Sequence, residues 1–168
     1  MLDAKRFLSS LVLFGVLSTI LYFQPDAGQA TVFNLSTLVL FLYNNTNIKI
    51  RLTAIIIFSL SIYLSWHKID LLEPVSYVED ILHLIKDLGF IGITGIIIVL
   101  IFLFLPFIFT SFNHIRSVKI LSASFIIYLL SSLVVTELGH FPVPVIGAGF
   151  SSVFGWFLML SFIYKSND

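Results

Sequence analysis

Glu79, His83 and Asp87 stand four residues apart within residues 67–88, the one sizeable polar stretch of this chain. On a helix, an i, i+4, i+8 spacing puts all three side chains on one face. A carboxylate–imidazole–carboxylate stripe can hold a divalent cation or do general acid–base work. The plainer reading is a solvated helix face with local ion pairs. We adopt it, because the sequence offers no fourth ligand, and we expect no metal site. A second pair, Glu137 and His140, precedes Pro142-Val143-Pro144. These two read as a polar site at the outer rim of a helical bundle. There they either anchor the chain at headgroup level or touch a lipid-linked substrate.

The elements that must carry these groups are apolar. Six stretches can be drawn, at about residues 7–23, 31–43, 52–66, 89–110, 120–136 and 145–164. The chain has 168 residues, of which 58% are hydrophobic and 11% charged. A soluble domain carries about 25% charged residues. A membrane-crossing helix takes about 20 apolar residues. Six spans and one outer loop therefore use nearly the whole chain, and we expect a single integral membrane domain over residues 1–168. The fold class is all-α, a polytopic helix bundle of six spans. The second and third stretches are short, and the second contains Asn34. A re-entrant hairpin over residues 31–66 would reduce the count to four.

Charge orients the bundle. With the N-terminus in the cytoplasm, Lys5, Arg6, Lys49, Arg51, Arg116, Lys119 and Lys165 fall inside, and only Lys68 and Lys86 fall outside. Asp26, Asp70, Glu73, Glu79, Asp80, Asp87 and Glu137 fall outside. Lys/Arg bias is the orienting signal. Both termini are thus expected in the cytoplasm, with residues 67–88 outside, in a bacterial inner membrane. Lys5 and Arg6 before an apolar run, with Gly28-Gln29-Ala30 downstream, have the outline of a secretory signal. The run at 7–23 is longer than such signals use, so we expect it to be retained.

Within the outer loop, Ser76-x-x-Glu79 reads as a capping box. Val78, Ile81, Leu82, Ile85 and Leu88 fall on one face of the helix that follows. That pattern suits a helix lying in the interface, apolar side down. Gly89, Gly92 and Gly95 then open the fourth span, and small residues at that spacing admit a close neighbouring helix. Gly147, Gly149, Ser151 and Ser152 are read in the same way, as packing positions at the start of the last span. Pro106 is expected to kink the fourth span.

Several classes are excluded. Zero net charge argues against a nucleic-acid partner. With no cysteine, thiol catalysis and disulfides are ruled out. No Asp, Glu, Lys, Arg or His lies near the middle of a span, where ion-coupled carriers place them. No cofactor is expected. Ser151 after Gly149 is similar to the Gly-x-Ser turn of an intramembrane serine protease. A serine nucleophile needs a base, and no span offers a histidine.

Two segments resemble the FtsW/RodA (SEDS) family of cell-wall glycosyltransferases. Lys86-Asp87-Leu88-Gly89-Phe90-Ile91-Gly92 is similar to that family's E-E-L-G-x-x-G segment. Phe141-Pro-Val-Pro144-Val-Ile-Gly-Ala-Gly149-Phe-Ser151-Ser152 is similar to its I-P-L-P-x-I-S-Y-G-G-S-S stretch. The resemblance covers about residues 78–164. It implies peptidoglycan or polysaccharide assembly, with a catalytic carboxylate in the outer loop. Strict register puts Val78 at that carboxylate's position, and a two-residue slip gives the role to Asp80, with Glu79 beside it. The family's polar penultimate span has no counterpart around residues 128–135, and its first spans are missing.

Three functions follow as expectations. The first, which we favour, is a non-catalytic membrane subunit or scaffold of an envelope complex, with lipids, other membrane proteins or copies of itself as partners. The second is a reduced SEDS-like protein acting on a lipid-linked sugar. The third is an immunity protein against a pore-forming toxin. The charge pattern is directly testable, because the chain has no cysteine of its own. A cysteine replacing Ser76 should react with an impermeant thiol reagent in intact cells, and one replacing Ser166 should not. The opposite labelling would reverse the orientation.

Overall fold

Long runs of Leu, Ile, Val and Phe, broken by short polar connections, leave the backbone one economical way to satisfy its own amides. The computed structural model describes residues 4–23, 26–44, 47–67, 87–139 and 149–165. Among them it is all-helical: α1 Ala4–Phe23, α2 Ala27–Asn44, α3 Ile48–Trp66, α4 Gly89–Ser111, α5 Arg116–Gly139 and α6 Gly149–Lys165. Three of these contain segments long and apolar enough to cross a membrane, Ile48–Trp66, Gly89–Ser111 and Arg116–Leu138. Shorter apolar segments run over Ser9–Phe23 and Ser152–Lys165. Helix contacts group into two units, Met1–Leu71 and Leu72–Asp168.

The first unit packs α1, α2 and α3 against one another. Both α2 and α3 begin earlier than the apolar stretches suggest, because side-chain caps extend them. Asp26 Oδ1 accepts from the Gln29 amide at 2.8 Å, which satisfies an otherwise orphaned donor at the start of α2. Asn47 does the same for the Lys49 amide at 3.0 Å at the start of α3. The buried positions of α2 include Ala27, Ala30, Asn34, Thr37 and Phe41. Their steps of three and four residues make one continuous seam. On α3 the corresponding buried positions are Ala54, Phe58 and Ser65. An aromatic layer joins the three helices. Phe41 lies with its ring centroid 5.6 Å from that of Phe14 and 5.5 Å from that of Phe58.

The second unit is built on the α4–α5 hairpin. Its connection is held by Asn113, whose Oδ1 accepts from the Ile115 amide at 2.8 Å. Thr110 Oγ1 and Ser122 Oγ meet at 2.7 Å across the two helices. The core is formed by Leu103 and Phe107 from α4, Val118 and Leu129 from α5, and Ile163 from α6. Phe107 packs on Phe125 with ring centroids 4.5 Å apart and on Trp156 at 6.0 Å. Helix α4 continues through Pro106. Proline has no N–H and crowds the preceding turn. One turn before it, the Leu103 carbonyl accepts from Trp156 Nε1 at 3.1 Å, tying α6 to this part of α4.

Each unit sorts its charges by end. In the first, Lys49 and Arg51 open α3 at the end where α2 finishes, and Asp26 caps α2 at the other. In the second, Arg116 and Lys119 begin α5 and Lys165 ends α6, whereas Glu137 lies at the far end of α5. The interface-helix reading of residues 76–88, apart from its end at Asp87, lies outside the described residues.

Truncating Phe107, which is fully buried, empties the centre of the second core. Phe107→Ala should lower unfolding stability by about 3–5 kcal/mol. Trp156→Phe keeps an aromatic ring but loses the indole N–H and some packing, and should cost about 1–2 kcal/mol. Steric-trap or denaturant unfolding in bicelles measures both, and equal losses would refute this ranking.

Candidate functional site

The most informative polar centre belongs to a residue that sequence reading treats only as a weakness in a span. Asn34 lies in the middle of α2 and is fully buried. Its Nδ2 donates to the Ala30 carbonyl of its own helix at 2.7 Å. It donates again to Ser61 Oγ of α3 at 3.2 Å. Its Oδ1 accepts from Ser18 Oγ of α1 at 2.9 Å. The contact with a backbone carbonyl fixes which amide atom is nitrogen, since a carbonyl only accepts. One side chain thus joins all three helices of its unit, one layer beyond the Phe14–Phe41–Phe58 rings. Toward the end where α2 begins, Trp66 Nε1 donates to Thr31 Oγ1 at 2.9 Å.

Beside this centre lies a groove of about 430 Å³ between α1 and α3. It is lined by Leu11, Gly15, Ser18, Thr19 and Tyr22 from α1, and by Ile57, Phe58, Leu60, Ser61 and Leu64 from α3. Both serines that bind Asn34 therefore face the groove. No lining residue is charged. A Cβ built on Gly15 meets no described heavy atom within 4 Å, so this glycine leaves open space in the wall. An apolar cleft of this size with a few convergent polar groups has the form of a small-molecule site.

The residues picked out by sequence fall elsewhere. Glu79, Asp80, His83, His140 and Gly147 lie outside the described residues. Asp87 and Glu137 are exposed. Gly89, at the start of α4, adopts φ 63°, left-handed backbone that glycine takes without strain. No described heavy atom lies within 4 Å of a Cβ built on Gly89 or Gly95. Gly92 is half-buried, and Gly149 and Ser151 lie in the first turn of α6. Ser152 is half-buried, and its hydroxyl bonds the Tyr128 phenol of α5. Among the described residues, no three His, Asp or Glu side chains converge as a metal site would need. No buried side-chain nitrogen or oxygen among them lacks a partner.

Comparison with protein-family models, with curated proteins and with solved structures finds no match.

If the amide organises the three helices, replacing it should loosen all of them. Asn34→Leu should lower unfolding stability by about 1–3 kcal/mol. Ser18→Ala should then cost clearly less in the Asn34→Leu background than alone. Strictly additive losses in a double-mutant cycle would mean that the two residues are not coupled.

Proposed function

We propose that this chain is a multi-pass integral membrane subunit of a bacterial envelope complex, with six spans, both termini in the cytoplasm and no chemistry of its own. The observation that carries this reading is the surface of α4. This helix has 23 residues, and its buried ones are Leu103 and Phe107, both in its C-terminal half. Phe90, Ile91, Ile93 and Ile97 are exposed at its start, beside the open space at Gly89 and Gly95. In a bilayer, apolar side chains can face lipid, but a row of glycines leaves a trough that a neighbouring helix fills better than acyl chains. Charge supports the placement, because among the described residues each unit carries its Lys and Arg at one end.

The second reading, a SEDS-like protein acting on a lipid-linked sugar, is favoured by Lys86–Gly92 and by the proline-containing segment before Ser152. It requires a carboxylate base in the outer loop, with Asp80 the first candidate and Glu79 the second.

Two sets of variants separate these readings. Gly92→Leu should weaken partner binding by about 1–3 kcal/mol through overpacking, seen as loss of co-purifying membrane proteins in mild detergent. Asp80→Asn and Glu79→Gln should leave cellular function unchanged. A loss confined to Asp80→Asn, with normal protein level and partners, would replace the subunit reading with an enzymatic one. A general base is worth about 10²-fold or more.

A further inference from the structure

We infer that the α1/α3 groove is a binding site for an uncharged long-chain alcohol, a lipid-soluble molecule with an aliphatic body and one hydroxyl head. The inference starts from the protons around Asn34. Ser18 gives its hydroxyl hydrogen to Asn34 Oδ1, so what Ser18 still offers the groove is an acceptor. Ser61 receives a hydrogen from Asn34 Nδ2, and among the described residues its own hydrogen has no acceptor. What Ser61 offers is therefore a donor. The pair presents one donor and one acceptor to the same groove, both fixed by a single buried amide. A ligand hydroxyl is the complementary group, since it accepts from Ser61 while donating to Ser18.

The remaining lining fits the same molecule. Ser18, Thr19, Tyr22 and Ser61 gather toward the C-terminal ends of α1 and α3, while Leu11, Gly15, Ile57 and Phe58 line the other end. The groove is polar at one end and apolar along its length. From Ser18 to Leu11 it follows roughly 10 Å of helix, room for the part of an aliphatic chain nearest its head. With no charge in the wall, neither a carboxylate nor an ammonium head gains a counter-ion. The volume lies in the range of small-molecule clefts. A transmembrane helix seated here would cover the wall but leave the donor–acceptor pair unused unless it brought its own hydroxyl to that layer.

The inference rests on the bilayer placement proposed above and not on the subunit role, and cysteine labelling of positions 76 and 166 tests that placement separately. The probe is a hexadecanol analogue carrying a diazirine and an alkyne, with a matched analogue ending in methyl, each added to the full chain in phosphatidylcholine vesicles. The alcohol should photolabel α1 and α3 about tenfold more than the methyl analogue, the ratio expected for about 1.4 kcal/mol of head-group recognition. Gly15→Leu should fill the groove and abolish that labelling with the fold intact, since the added Cβ enters open space. Ser61→Ala should bring the alcohol down to the level of the methyl analogue. If Gly15→Leu proves unstable, competition on the unaltered chain decides: unlabelled hexadecanol should displace the probe and hexadecane should not. Equal labelling by both analogues, or labelling that survives in well-folded Gly15→Leu, would overturn the site. So would ready disulfide dimers of Gly15→Cys in the vesicles, because the groove would then be the seat of a second copy.

Discussion

An amide removed from water without hydrogen-bond partners costs several kcal/mol, and Asn34 sits where no water reaches it. That constraint organises the first unit. The amide bonds its own helix through Ala30, α1 through Ser18 and α3 through Ser61. Satisfying it requires α1 and α3 each to present a hydroxyl at the level of the amide. Together with the Trp66–Thr31 bond between α3 and α2, this sets the register of three helices whose other packing is apolar. Apolar packing alone would tolerate a slip of one turn, with Phe rings exchanged for other Phe or Leu side chains. On α1 the amide does not tolerate it, because a slip that puts Phe14 or Gly15 at the level of Ser18 leaves the buried Oδ1 unpaired; on α3, Ser65 stands one turn beyond Ser61 and carries the same hydroxyl. Small residues such as Ala27 and Ala30, both fully buried, then let the helices close around this point.

The second unit solves a related problem with less polar means. Its aromatic centre, with Phe107 against Phe125 and Trp156, supplies shape. Its directional contacts flank that centre: Thr110 with Ser122 near the α4–α5 turn, Trp156 with the Leu103 carbonyl, and Tyr128 with Ser152. Pro106 cannot donate to the turn before it, and the tie from Trp156 to Leu103 holds that stretch of α4.

The helical fold was legible in the sequence, because apolar run length and polar breaks are local properties. Stretches drawn at 52–66 and 89–110 became Ile48–Trp66 and Gly89–Ser111. The errors lay at the starts of helices, where Asp26 and Asn47 act as caps and hydropathy alone does not register them. The polar centre was not legible in the same way. Asn34 reads as a defect in a span because its partners, Ser18 and Ser61, lie 16 and 27 residues away. A signal was present nonetheless. Ala27, Ala30, Asn34, Thr37 and Phe41 recur at steps of three and four, and such a seam marks a face turned toward protein. Periodicity says that Asn34 is inward-facing; only the packed structure says what it touches. The groove was invisible for a similar reason, since its walls come from two helices that are not consecutive in the chain.

Helix α2 also has a history, because chains are made from one end. It carries Gln29, Asn34 and Asn44 and is not among the three helices apolar enough to cross by composition alone. In the bilayer placement proposed above, it cannot release its amide to lipid at low cost. The bond to Ala30 is available at once, within the nascent helix. Ser18 is already in place, because α1 precedes it. Ser61 is not, since it arrives only with the second half of α3. Synthesis from the N-terminus therefore makes the partners of Asn34 available in sequence, Ser18 and Ala30 before Ser61.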